Sequence, residues 1–171
     1  IAHLLRTAGT LVRNSGTLAG NIAMTKSRKF ESDLATLLIA VRAQLSIISA
    51  SGSSSIQVQE FLSDTTPALS PGQIIESITI PLPDSASANS AFATYRVAHR
   101  RNNSVSLANA AFSCTFRRQD EKTILESVTL IFGAATPMPT QATRTEQHLI
   151  GKPLEDDQTF KTAMNLLLQD T

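Results

Sequence analysis

Three strand-like runs follow one another with no helical period between them: Phe92 to His99, Leu107 to Phe116 and Ile124 to Phe132. Runs this close in sequence pair as antiparallel neighbours, so helices must lie outside them. Helical patterning does sit at both ends. Ser32 and Asp33 can cap a helix whose apolar positions Leu34, Leu37, Leu38 and Val41 follow the i, i+3, i+4, i+7 spacing of one buried face. A second helix, about Asp157 to Gln169, carries Phe160, Met164, Leu167 and Leu168 on one side. Thr143 with Glu146 makes a capping-box pattern ahead of Leu149-Ile150-Gly151. The fold class is α+β.

The first half adds smaller pieces. Ile1 to Ala8 fits the last turns of a helix ended by Gly9. Arg13 to Ile22 is rich in small and hydrogen-bonding residues and reads as a tight, partly buried turn. Leu45-Ser46-Ile47-Ile48 and Ile56-Gln57-Val58, separated by the flexible Ser51 to Ser55, suggest an antiparallel hairpin. Glu60-Phe61-Leu62 is a short helical turn, and Ile74 to Ile80 a strand. Pro81 to Ser90 has two prolines, three serines and no large aromatic, which marks a boundary between two parts, about 1–84 and 91–171.

Composition narrows the function classes. A chain of 171 residues can bury one ordinary core or two small ones. Its fifteen Lys and Arg against fourteen Asp and Glu give a formal charge of +1, which offers no field for nucleic acid or an anionic membrane. The single cysteine, Cys114, excludes an internal disulfide framework and fits a reducing, cytoplasmic setting. Ile1 stands where a translated chain would have Met, without a secretion-signal layout behind it, and reads as a cut end within a longer protein.

Few residues advertise chemistry. His3, His99 and His148 have no paired-ligand spacing, so no metal site and no catalytic group is assigned. Cys114 alternates with apolar neighbours as a packed thiol does. Lys26, Arg28 and Lys29 read as a solvated loop. There is no Gly-x-Ser-x-Gly elbow, Walker loop or Gly-x-Gly-x-x-Gly fingerprint. Thr17-Leu18-Ala19-Gly20-Asn21 has two readings. It is either a structural turn or a cradle whose backbone N–H groups approach a phosphate because side chains are missing.

Arg13-Asn14, then Thr17-Leu18-Ala19-Gly20-Asn21-Ile22, then Ser32-Asp33-Leu34, resembles the flavin domain of the molybdenum hydroxylases, the family of xanthine dehydrogenase and aldehyde oxidase. Gln73-Ile74-Ile75-Glu76-Ser77-Ile78-Thr79-Ile80-Pro81 resembles the strand closing the flavin-binding half. Phe92 to Ala98, Ala108-Asn109-Ala110-Ala111, Phe132-Gly133-Ala134 and Leu149 to Lys152 resemble the α+β domain that follows, of the CO-dehydrogenase-flavoprotein C-terminal type. The eleven residues from Ile22 to Ser32 that separate Asn21 from Asp33 are most like the spacing in plant aldehyde oxidases.

The resemblance implies FAD as cofactor. Thr17, with Leu18, Gly20 and Asn21 beside it, stands where the family holds the diphosphate. Asp33 matches a carboxylate near the sugar or ribityl portion, Ile74 and Ile75 an apolar pair near the rings, and Arg96 a cation near the isoalloxazine. It further implies an oxidoreductase that passes electrons from molybdopterin through 2Fe-2S clusters to FAD and then to NAD or O₂. Those other groups sit in partner domains of a parent enzyme that is a homodimer. Departures exist: Ala19 replaces a glycine, Thr7 replaces an aromatic, and Arg42 occupies a helix end where Gly is usual. A left-handed Arg42 would cost about 1 kcal/mol. A rival reading is a non-catalytic scaffold or interaction fragment derived from such an enzyme.

Overall fold

The computed structural model describes residues 2–82, 89–136 and 138–171. Most of the Pro81–Ser90 boundary lies outside the described residues. A short 3-10 turn, Leu4–Arg6, leads into α1 (Thr10–Ser15), α2 (Leu18–Arg28) and α3 (Asp33–Ala40). Strands β1 (Gln44–Ser49) and β2 (Gly52–Gln57), helix α4 (Val58–Leu62) and strand β3 (Ile74–Thr79) follow. The second half runs β4 (Ser90–Ala98), β5 (Ser106–Gln119), β6 (Lys122–Gly133), β7 (Thr140–Gln141), α5 (Thr143–Leu149) and α6 (Asp157–Asp170). The three expected strands are β4, β5 and β6.

The strands form two antiparallel sheets, in the orders β2-β1-β3 and β4-β5-β6-β7. The β1–β2 hairpin is present, with Leu45 opposite Ile56. Helix α3 joins the two sheets. It packs on β5 and β6 as well as on α2 and α4. Its buried residues Leu34, Ala35, Leu38 and Ile39 share one core with Ile22, Leu45, Ile47, Phe61 and Ile75 from the first half and Ala111 and Ile131 from the second. Ser113 Oγ donates to the Ala40 carbonyl (2.8 Å), and Arg42 Nη2 to Thr129 Oγ1 (3.3 Å), which fastens the helix end to the second sheet.

Helix α3 shows why it starts and stops where it does. Ser32 Oγ accepts from the Ala35 N–H (3.0 Å), satisfying one orphan donor of the first turn. At the other end the Arg42 and Ala43 N–H groups return to Ile39 and Leu38 carbonyls (both 2.9 Å), a Schellman closure with Arg42 at φ 55°. The left-handed arginine is therefore real, and its cost is accepted because two carbonyls are satisfied.

Several sequence expectations are corrected. Arg13 to Ile22 is not a turn: Gly16 and Thr17 separate two helices, and Thr17 caps α2 by accepting from the Gly20 N–H (2.9 Å). Small residues permit tight turns but do not forbid a helix once it is capped. Ala19 lies inside α2, so it carries no left-handed strain. Gly9 opens α1 rather than ending a helix. The basic run closes α2. Lys26 is buried there and donates to the Ser63 carbonyl (2.6 Å), and Lys29 pairs with Asp64. The Thr143–Glu146 capping box does not form. Ala142 precedes α5, and Glu146 instead accepts from the Leu130 N–H and Gln141 Nε2 (both 2.7 Å). Phe160, Met164 and Leu168 of α6 are exposed, and this helix packs on α5 through Thr159 and Ala163 rather than on a sheet.

Ile131 is fully buried where the halves meet. Ile131→Ala should lower the unfolding free energy by about 2–5 kcal/mol through transfer and cavity terms. Because the core is shared, urea unfolding followed by far-ultraviolet circular dichroism should remain one transition, moved to lower denaturant. Two separated transitions would mean the halves are stabilised independently.

Candidate functional site

One buried carboxylate organises the region. Asp33, the first residue of α3, is 9% exposed. Its Oδ1 accepts from Ser106 Oγ (2.6 Å) and from Asn109 Nδ2, both on β5. Its Oδ2 accepts from Arg96 Nε (2.8 Å) on β4 and from Thr7 Oγ1 (3.3 Å) before α1. Arg96 is held a second time, donating through Nη2 to the Ser104 carbonyl. A carboxylate taken out of water needs donors on both oxygens, and here four side chains from three parts of the chain provide them.

His3 completes the cluster. Its Nε2 is buried without a hydrogen-bond partner and lies 4.0 Å from Asp33 Oδ2. Burial pushes its pKa below the ordinary 6.5, overcoming the opposite pull of Asp33, with Arg96 and Arg6 adding to the depression.

Beside this cluster opens a cleft of about 320 Å³, walled by Ala8, Asn21, Ser32, Asp33, Ser106 and Asn109 among others. Asn21 comes from the first turn of α2, and its Oδ1 accepts from Ser32 Oγ, leaving the amide Nδ2 to donate. Asn109 Oδ1 is buried without a partner. The exposed start of α2 lies one turn before Asn21, where the first N–H groups have no carbonyl partners within the helix. Gly20 keeps that end open, since a Cβ there would stand 2.9 Å from Thr17 Oγ1.

The expected site residues therefore fall into three groups. Asn21 and Asp33 line one cleft, and Arg96 grips Asp33 from behind it. Thr17, Leu18 and Gly20 form the exposed helix start and do not line the cleft. Ile75 is buried in the core at 6% exposure while its neighbour Ile74 is 64% exposed, as the alternation of β3 dictates. Ser106, Asn109 and His3 were not singled out from the sequence. Asn109 had a readable signal: a lone carboxamide inside Leu107-Ala108-Asn109-Ala110-Ala111 must find a partner if its strand is buried.

Residues 2–83 match the FAD binding domain in molybdopterin dehydrogenase, and residues 93–171 match the CO dehydrogenase flavoprotein C-terminal domain. The chain belongs to the flavoprotein part of the molybdenum hydroxylase family. Indole-3-acetaldehyde oxidase of Arabidopsis thaliana is 34% identical over 165 residues, covering 91% of this chain and 12% of that protein. Abscisic-aldehyde oxidase of the same plant is 32% identical over 139 residues, 77% of this chain and 10% of that protein. Aldehyde oxidase 1 of Rattus norvegicus is 28% identical over 172 residues, 99% of this chain and 12% of that protein. The chain thus spans about an eighth of the length of such relatives. Among solved structures, quinoline 2-oxidoreductase from Pseudomonas putida 86 shares the fold with TM-score 0.76 at 24% identity, over 96% of this chain and 53% of that one. Carbon monoxide dehydrogenase from Hydrogenophaga pseudoflava does so with TM-score 0.78 at 20% identity, over the same shares.

The family implies FAD, and the donor set suits it. An uncovered helix N-terminus favours a diphosphate, while a free carboxamide donor and an unpartnered carboxamide oxygen in one cleft suit a polyhydroxyl chain. Among the described residues no group of three His, Cys, Asp or Glu could hold a metal ion, and no helix is long and apolar enough to cross a membrane.

The depressed pKa of His3 has a testable consequence. The unfolded chain takes up a proton near pH 6.5 and the folded one only at lower pH, so stability is full above that value and falls as pH drops through the folded pKa. Urea midpoints measured from pH 7.5 to 5.5 should decline below about 6.5. His3→Gln should flatten that decline. An equal decline in the variant would assign it to other groups.

Proposed function

We propose that this chain supplies one wall of an FAD site and acts as the flavin station of an aldehyde-oxidase-like molybdenum hydroxylase. The observation that carries the reading is the start of α2, where unpaired N–H groups at Leu18 and Ala19 stand one helical turn from a cleft shared by Asn21 and Asp33. In this arrangement Thr17, Leu18 and Gly20 hold the diphosphate, and Asn21 donates its free amide to the ribityl or sugar chain. Asp33, already bonded on both oxygens, acts mainly by fixing the cleft wall. Ile74 offers apolar contact to a ring, while Ile75 anchors the strand beneath it. Arg96 places a cation near the flavin.

When bound, FAD supplies the two-electron and one-electron redox chemistry. The chain's residues position the cofactor, exclude water from part of it and set the charge around it. The parent enzyme is read as a cytoplasmic homodimer whose other domains hold 2Fe-2S clusters and molybdopterin, with NAD or O₂ as electron acceptor. The two parts, about 1–84 and 91–171, are read as two domains that meet in a shared core around α3 and are tied at Asp33. The rival reading, a non-catalytic scaffold derived from such an enzyme, requires that flavin binding be lost.

Leu18→Pro is a clean probe, because proline at the first position of a helix is well tolerated yet removes one N–H. In the polypeptide that carries this segment, Leu18→Pro should weaken FAD binding by roughly 10- to 150-fold, the worth of a hydrogen bond to a charged group, and Asn21→Ala by roughly 2- to 13-fold, the worth of a neutral one. Flavin fluorescence after equilibrium dialysis reads the loss, and molybdenum content should stay constant. Unchanged flavin occupancy in both variants would contradict the site. A parent protein that never retains flavin would favour the scaffold.

A further inference from the structure

A second cavity, of about 360 Å³, is lined by Arg6, Arg96, Ala98, Arg100 and Arg101, none of which lines the cleft of Asn21 and Asp33. Four arginines thus line one opening in a chain whose formal charge is only +1. No carboxylate lines it among the described residues. Two of the four are held in place. Arg96 is fixed by Asp33 and the Ser104 carbonyl, which leaves its Nη1 donors unused, and Arg100 Nη2 donates to the Asn103 carbonyl at 2.7 Å. Ala98 adds little bulk to the opening, and Arg6 and Arg101 are exposed.

Arg96 is compensated by Asp33, so the charges of Arg6, Arg100 and Arg101, which have no carboxylate partner among the described residues, repel one another unless an anion screens them. Guanidinium groups donate to phosphate oxygens, and two anchored arginines that keep Nη1 unused cost less conformational entropy on binding than free surface side chains. We infer that this arginine-lined cavity is a binding site for a diphosphate group, separate from the FAD diphosphate position at the start of α2. The site stands on the geometry of Arg6, Arg96, Arg100 and Arg101 and does not depend on the flavin reading.

Isothermal titration calorimetry with sodium pyrophosphate on the purified polypeptide that carries this segment tests it. Saturable binding is expected, weakened at least about tenfold in Arg101→Gln and in Arg6→Gln, because each loses a charge-assisted contact. Binding should also fall steeply with added sodium chloride. Arg118→Gln, an exposed cation at the far end of β5, should leave affinity unchanged. Circular dichroism establishes that each variant is folded, and Arg6→Gln stands in should Arg101→Gln misfold. FAD retention should be the same with and without Arg101→Gln, which separates this site from the flavin site. Adenosine diphosphate binding more tightly than pyrophosphate would identify a nucleotide as the source of the group, and equal affinity would identify free diphosphate. Absent binding, affinity unmoved by both cavity variants, or an equal loss in Arg118→Gln would overturn the inference.

Discussion

The arrangement depends on one carboxylate that has left water. Asp33 begins the helix joining the two sheets, and its oxygens draw Arg96, Ser106 and Asn109 from the second half and Thr7 from the first. An unpaired buried charge costs several kcal/mol, so these donors are not optional decoration. They fix the register between α3 and β5, and with it the distance across the cleft. The shared core of Ile22, Phe61, Ala111 and Ile131 then supplies the non-directional part of the stability, which a polar cluster alone would not provide.

The same constraint divides the labour among residues near the cleft. Asp33 is saturated by the protein, so residues with spare donors are the ones free to meet a ligand. Those are the amide of Asn21 and the first N–H groups of α2. Glycine matters here for space rather than for an unusual backbone angle. Gly20 admits the Thr17 cap, and a Cβ at Gly133 would overlap Thr36 and Asn109, the latter one of Asp33's donors. A second polar chain ties the halves on another side: Gln59 donates to Gln141 (2.6 Å), which donates to the buried Glu146.

Much of this was legible in the sequence, for physical reasons. The strands β4 to β6 were readable because each is a long apolar run bounded by turn residues. Helix α3 was readable because its cap and its apolar spacing agree. Asn21, Asp33 and Arg96 could be placed near one another only through resemblance, since sixty-three residues separate Asp33 from Arg96. Helix α2 was missed because Gly20, Asn21, Thr25 and Ser27 have low helix propensity, and burial of Ile22, Thr25 and Lys26 outweighs that preference. Glu146 was misread because its carboxylate caps the edge of a sheet instead of its own helix. The Phe160, Met164 and Leu168 stripe had the right period and is nevertheless exposed, since periodicity reports a face and not what covers it.

The central claim is that the Asp33–Arg96 pair is a desolvated tie and not an incidental surface contact. A double-mutant cycle with Asp33→Asn and Arg96→Met, read by urea unfolding at pH 7, measures it directly. Each single change should cost about 3–5 kcal/mol, because it strands a buried charge or its donors. The double variant should cost clearly less than the sum, with a coupling of about 1–3 kcal/mol. Additive losses, or single changes within about 0.5 kcal/mol of the parent, would contradict the account.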